Sequence, residues 1–204
     1  MAQESGFKPV EFDGNPEPRC ACVLLLDSSG SMTGEPINQL NAGLTSFSEA
    51  IKKDTLTSLR VEVAIITFGG EVKVMQDFVS AGQFNPPTLT TSGTTPMGGA
   101  VHAALDKIQE RKAFYKQNGL DYFRPWIFMI TDGNPTDDGI WQQAAARSRE
   151  SEDKKSVAFF AVGNNYPIPN LPPSYPILRE ISKVSPDPSM QPPAGDWNTI
   201  FWNS

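Results

Sequence analysis

Cys20-Ala-Cys-Val-Leu-Leu-Leu-Asp27-Ser-Ser29-Gly-Ser31-Met is an apolar run that ends in one carboxylate and opens into a cluster of hydroxyls. A continuous apolar run, as opposed to an alternating one, predicts a strand buried on both faces of a parallel sheet. Ligand sites of open α/β sheets lie at the carboxyl ends of such strands. Asp27, Ser29 and Ser31 are alternate residues of a tight glycine-containing turn, so their oxygens can converge on one point. One carboxylate and two hydroxyls form a hard-oxygen set suited to Mg²⁺ or Mn²⁺.

Outward from that strand, helices and strands alternate. Glu35-Pro36 is a good helix start, because proline is tolerated in the first turn. Ile37, Leu40, Leu44, Phe47 and Ile51 follow at spacings of three and four, which predicts a helix over about 36–53 with one apolar stripe. Val61 to Phe68 reads as a second strand, and Gly69-Gly70 as a two-residue hairpin turn. In the stretch Val72 to Val79, Val72, Val74 and Phe78 alternate against Lys73 and Asp77, the pattern of an antiparallel edge strand with one exposed face. A loop rich in Pro, Thr, Ser and Gly covers about 80–95, and Pro96 opens a helix to about 113 whose buried stripe is Met97, Ala100, Val101, Ala104, Leu105 and Ile108.

Trp126 to Thr131 is the next central strand, ending in Asp132-Gly-Asn-Pro. Thr136 or Asp137 can cap a helix over about 138–152, with Ile140, Ala144 and Ala145 inward. Ser156 to Val162 is a further buried strand. A proline-rich loop over about 163–176, a short helix over about 176–184 and a tail carrying Trp197, Phe201 and Trp202 complete the expectation. That tail reads either as a docked helix or as an exposed partner surface. The sum is an α/β fold: a doubly wound, Rossmann-like, mainly parallel sheet with one antiparallel edge strand and helices on both faces. Residues 1–19 are expected to be a polar lead-in, and 20–204 one domain.

Composition narrows the function. A net charge of −6 argues against nucleic acid or an anionic membrane as partner. No stretch approaches the roughly 18 apolar residues of a membrane span. The first residues, Met1-Ala-Gln-Glu-Ser-Gly6, have neither the basic nor the apolar region of a secretory signal. Cys20 and Cys22 fall two apart on one predicted strand, a separation awkward for a disulfide, so reduced core thiols and a cytoplasmic setting are expected.

Three loops share one logic: Asp27, Ser29 and Ser31 follow the first strand, Thr95 precedes a helix, and Asp132 caps the strand 126–131. If that strand neighbours the first on the side away from the hairpin, the loops meet at the topological switch point. This arrangement resembles the von Willebrand factor A domain over nearly the whole chain. The resemblance implies a metal-ion-dependent adhesion site written Asp-x-Ser-x-Ser, then Thr, then Asp, matched here by Asp27, Ser29, Ser31, Thr95 and Asp132. Thr95 is taken over Thr94 because Gly93-x-Thr95, with Ala100 five residues on, fits the family's spacing. The layout around Thr94-Thr-Pro-Met-Gly-Gly-Ala100 and Phe128-Met-Ile-Thr-Asp-Gly-Asn-Pro-Thr-Asp137 looks like the bacterial tellurite-resistance TerY and YegL-like branch. That branch implies an intracellular domain working with protein partners such as kinases and phosphatases. The tail departs from the pattern by stopping soon after Phe201-Trp202.

Chemistry leads to the same reading. Hydroxyls are neutral, so Ser29, Ser31 and Thr95 leave the charge of a divalent cation to Asp27 and to Asp132, direct or through water. Such a cation exchanges one water for an Asp or Glu of another protein. The alternatives are a Mg²⁺-dependent phosphatase-like hydrolase and a structural subunit with a vestigial site. Aspartyl-phosphate phosphatases place a general acid two residues after the nucleophilic Asp, where this chain has Ser29. G-x-S-x-G and Walker A motifs are absent, and the sole histidine, His102, reads as an ordinary helix residue. A non-enzymatic binding module is therefore expected.

Overall fold

The computed structural model describes residues 15–163. Their order is β1 (Cys20–Asp27), α1 (Glu35–Lys53), α2 (Thr55–Arg60), β2 (Val61–Gly69), β3 (Glu71–Ser80), α3 (Met97–Gln117), β4 (Trp126–Thr131), α4 (Ile140–Asp153) and β5 (Ala158–Gly163). They build one five-stranded sheet in the order β3-β2-β1-β4-β5. β1 pairs in parallel with both β2 and β4, β4 pairs in parallel with β5, and only β2 and β3 are antiparallel.

β1 is central, and all eight of its residues are buried. Its side chains alternate between two cores. Ala21, Val23 and Leu25 join Met97, Ala100, Val101, Ala104 and Leu105 of α3, with Ala144 and Ala145 of α4. Cys22, Leu24 and Leu26 pack with Ile37, Leu40, Leu44, Phe47 and Ile51 of α1. Period two along the strand and period 3.6 along the helices thus fill both faces of the sheet. Cys20 and Cys22 are free and buried, and burial, with the nearby Glu62 charge, pushes the Cys20 thiol up to about 12.

At the base of the sheet, where β2 begins, the Glu62 carboxylate accepts from Arg111 Nε at 2.7 Å and from the Tyr115 hydroxyl. Arg111 and Glu62 are an ion pair with side chains only 1% exposed, and the guanidinium lies 4.7 Å from the centre of the Phe114 ring. These contacts extend α3 to Gln117, a turn past the expected end, because Arg111 and Tyr115 continue its buried face.

Other expectations need correction. α2 was not foreseen: Asp54 caps it by accepting from Thr57 N–H at 2.6 Å, but its leucines, Leu56 and Leu59, are exposed, so it carries no apolar stripe. β3 keeps the expected alternation at Val72 and Phe78, which reach the core, and at exposed Lys73 and Asp77, but Val74 is exposed. The pairing with β2 has two register shifts, between Val63 and Ile65 and between Ile65 and Ile66, yet Val74 stays opposite buried Ile66 and is exposed on the edge strand. The reversal into β3 turns on Gly70 alone, at φ +74°, since Gly69 still pairs with Glu71. Ile140 is exposed, not inward, and α4 starts after Gly139 without a side-chain cap. Asp137 caps a different helix: its carboxylate accepts from Gly98 and Gly99 N–H of α3 at 3.2 and 2.8 Å. β5 starts at Ala158, two residues later than expected. The expected loop over 163–176, the helix over 176–184 and the tail with Trp197, Phe201 and Trp202 lie outside the described residues, as does most of the lead-in.

Candidate metal centre

β1 and β4 are neighbours with Leu26 opposite Ile130, so the loops after Asp27 and Thr131 leave the same edge of the sheet. The first of these loops turns at once. Ser29 N–H donates to Asp27 Oδ1 at 2.8 Å, and a short 3₁₀ turn, Gly30–Met32, follows with Met32 buried beneath it. Within the turn the Ser29 and Ser31 hydroxyls lie 3.0 Å apart. The second loop meets the first where the Ser31 hydroxyl donates to Asp132 Oδ1 at 2.8 Å.

Thr95 arrives on a third segment, which is fastened to its neighbours by backbone hydrogen bonds. Ser92 N–H donates to Ser28 O at 2.8 Å, Gly30 N–H to Gly93 O at 3.0 Å, and Gly70 N–H to Thr94 O at 2.7 Å. Gly93 has φ +63°, and a Cβ there would sit 2.4 Å from Gly70 Cα, so the hairpin and the Thr95 segment approach as only glycine permits. Thr136 completes the fastening: its hydroxyl accepts from Thr95 N–H at 3.0 Å, and its own N–H donates to Thr95 O at 2.9 Å.

The five sequence-derived residues therefore come together. Asp27, Ser29 and Thr95 are buried, Asp132 is half-buried, and Ser31 is exposed at the mouth. Thr94, the rejected neighbour, is exposed and contributes a carbonyl to the hairpin. Gly133 marks the space between the loops. A Cβ built there would stand 3.6 Å from Ser31 Oγ, 3.7 Å from Thr95 Oγ1 and 4.0 Å from Asp27 Oδ2. Oxygens of the loop after β1 and of the Thr95 segment thus border one small cradle beside the loop after β4, kept open by the missing side chain.

Sequence reading missed Thr131, whose hydroxyl donates to Asp27 Oδ2. A threonine closing an apolar strand was the available signal, but its inward direction depends on the register of β4. Burial raises the Asp27 carboxyl above its ordinary value and the Asp132 charge adds to this, against the lowering effect of the Thr131 and Ser29 hydrogen bonds. Cavity, donor chemistry and charge together fit a hard divalent cation: all five donors are oxygen, two are carboxylates, and a nearby positive charge would relieve the strain on Asp27. Among the described residues no group of three or more His, Cys, Asp or Glu is placed to hold a metal, so binding here has to draw on the hydroxyls.

A five-stranded mainly parallel sheet with this loop cluster at its switch point defines an α/β domain with a polar site at the strand ends. The sequence model of the von Willebrand factor type A domain matches residues 22–187, and the chain belongs to that family. No curated protein matches the chain by sequence. Among solved structures, the pilus adhesin SpaC from Lactobacillus rhamnosus GG in its open conformation is 14% identical, with a TM-score of 0.62 over 90% of this chain and 29% of that one. The manganese-loaded TRAP protein of Plasmodium vivax is 18% identical, with a TM-score of 0.52 over 90% of this chain and 70% of that one. VWA2, the ArnB paralogue of Sulfolobus acidocaldarius, is also 18% identical, at a TM-score of 0.49 over 73% of this chain. The chain spans 42% of the Sulfolobus protein and 29% of the pilus adhesin. At such identities the likeness is one of fold.

Proposed function

We propose that the chain is a non-enzymatic protein-binding module in which a divalent cation, Mg²⁺ or Mn²⁺, captures an Asp or Glu of a partner protein. The observation that carries this reading is the cradle beside Gly133, bordered by oxygens of Asp27, Ser31 and Thr95, with Ser31 bonded to Asp132. Asp27 and Asp132 would supply the anionic ligands, and Ser29, Ser31 and Thr95 neutral ones. With Asp132 acting through water and the hydroxyls neutral, the cation keeps uncompensated positive charge and an exchangeable water, and so attracts an outside carboxylate. Cation and partner then raise each other's affinity by the same factor.

Binding, not turnover, is favoured by the residue types. Ser29 stands where a phosphatase of the aspartyl-phosphate type needs an acid. His102 lies on α3 with Nδ1 3.2 Å from Arg147 Nη1, committed to a helix–helix contact.

We place the chain in the bacterial TerY and YegL-like branch on the layout of residues 94–100 and 128–137. That placement implies a cytoplasmic stress-response or tellurite-resistance assembly and a kinase or phosphatase as partner. The two free, buried thiols support a reducing compartment. No described helix is long and apolar enough to cross a membrane.

A pull-down from the native cell tests the reading, run in parallel with Mg²⁺ and with EDTA. A partner retained in Mg²⁺ and released by EDTA is the expected result. Equal retention in both would sink it, and so would Mg²⁺-dependent phosphatase activity that Asp27→Asn abolishes.

A further inference from the structure

We propose that Asp137 is a positioning residue for the metal centre, locking the Thr95 segment to the Asp132 loop. The inference rests on the metal-binding reading above and concerns a residue that supplies no ligand in it.

α3 begins at Met97 after Pro96, whose side chain offers no hydrogen-bond acceptor to the amides of Gly98 and Gly99. The acceptor comes instead from the loop after β4. Both oxygens of the Asp137 carboxylate are used, Oδ1 for Gly98 N–H at 3.2 Å and Oδ2 for Gly99 N–H at 2.8 Å. A carboxylate at a helix N-terminus is favoured by both hydrogen bonding and the helix dipole. Gly98 makes this reach possible: a Cβ there would lie 2.5 Å from Trp141 N, so α3 and the start of α4 touch backbone to backbone.

Geometry makes this cap more than a local stabiliser. Thr95 lies three residues before Gly98, and Asp132 five residues before Asp137. The same two segments are already joined once, by the reciprocal pair in which Thr95 N–H donates to Thr136 Oγ1 and Thr136 N–H donates to Thr95 O. One junction of two chains leaves a hinge, whereas two adjacent junctions fix orientation. With Asp137 in place, Thr95 Oγ1 and the Asp132 carboxylate cannot swing apart independently. Groups that bond a metal ligand directly typically change metal affinity by about 10–100-fold when removed, and Asp137, acting through the Gly98 and Gly99 amides, belongs at the low end of that range.

The test uses the full chain and Mg²⁺ alone, with titration calorimetry and amide hydrogen exchange in EDTA. Asp137→Ala is expected to weaken Mg²⁺ binding by at least about tenfold. Asp137→Asn, which keeps one acceptor but turns its amide N–H₂ toward the other glycine N–H, recovers only part of that loss, and Asp138→Ala, at an exposed neighbour, changes nothing. In EDTA, Asp137→Ala speeds exchange at Thr95 as well as at Gly98 and Gly99, where a purely local cap would affect only the two glycines. Unchanged affinity in Asp137→Ala overturns the proposal, as does faster exchange confined to Gly98 and Gly99, which would make the cap purely local. If the wild-type chain binds no Mg²⁺ at millimolar concentration, the metal reading itself falls; wild-type binding with an indifferent Asp137→Ala removes only this inference.

Discussion

Ser31 and Asp132, separated by 101 positions in sequence, are joined by a hydrogen bond of 2.8 Å from hydroxyl to carboxylate. The bond ties the loop after β1 to the loop after β4, and it exists because those strands are parallel neighbours ending at the same rim. Strand order brings the loops of Asp27 and Asp132 together, and backbone hydrogen bonds to Ser28, Gly30 and Gly70 add the segment that carries Thr95.

Asp27→Asn separates binding from folding. Thr131 can turn its hydroxyl from donor to acceptor and meet the new amide, while the amide oxygen still accepts from Ser29 N–H. Removing a charge that burial disfavours leaves the melting temperature in EDTA unchanged or higher. The Mg²⁺-dependent rise in melting temperature, which mass action requires of any ligand of the native state, disappears. Thermal melts of both proteins with and without Mg²⁺ decide the matter.

Thr95→Ala weakens metal-dependent capture more than Thr94→Ala. Thr95 directs its hydroxyl into the cradle, whereas exposed Thr94 contributes its carbonyl, which alanine retains. Capture of the partner on beads carrying each variant gives the ranking, and the reverse order would refute the ligand assignment.

Gly133→Ala fills the cradle. The new methyl makes ordinary contacts of 3.6–4.0 Å with Ser31, Thr95 and Asp27, so the fold tolerates it. It occupies the space that a cation and its waters need. Expected is a normal melt in EDTA with a reduced Mg²⁺ response; an unaltered response would show that the cation sits elsewhere.

Glu62→Ala strikes the opposite end of the sheet. It strips Arg111 of a buried counter-charge, a change that typically costs about 3–5 kcal/mol. Urea unfolding should show the loss, and calorimetry should show Mg²⁺ affinity intact. Replacing Glu62 and Arg111 together by apolar residues of similar volume should recover much of that stability.

Glu152 gives a pH signature. Burial raises its carboxyl above the ordinary value, outweighing Phe159 N–H and Arg124, which lower it. Folding therefore favours the protonated form: the stabilising contribution is complete below the unfolded-state value and is lost as pH rises through the folded one. Glu152→Gln keeps an acceptor for Phe159 N–H, so wild type should gain on this variant as pH falls towards 4.5. Urea midpoints of the two proteins between pH 7 and about 4.5 would show the crossover.

Much of this was legible in the chain. The run from Cys20 to Leu26 reads as a strand covered on both faces, because it has no polar side and is too short for a buried helix. The α1 stripe from Ile37 to Ile51 is equally unambiguous. Asp27, Ser29 and Ser31 declared themselves by sitting together at a strand end. What escaped depends on register and on contacts between distant segments. Val74 stands opposite buried Ile66 and is still exposed, since its place on the edge strand, not its sequence pattern, decides what covers it. Asp137 precedes one helix and caps another, since its partners, Gly98 and Gly99, come close only once α3 and α4 have packed. Thr131 belongs to the site because of which way β4 faces, a choice made by the sheet as a whole.

Glu62, paired with Ala21, and Phe68, paired with Asp27, stand six residues apart on β2, about 20 Å at the rise of an extended chain. The ionic knot around Arg111 and the oxygen-lined rim are therefore poles of one slab, joined by apolar strands that neither perturbs. A designer could rewrite the rim while the ion pair at the far pole keeps its stabilising contacts.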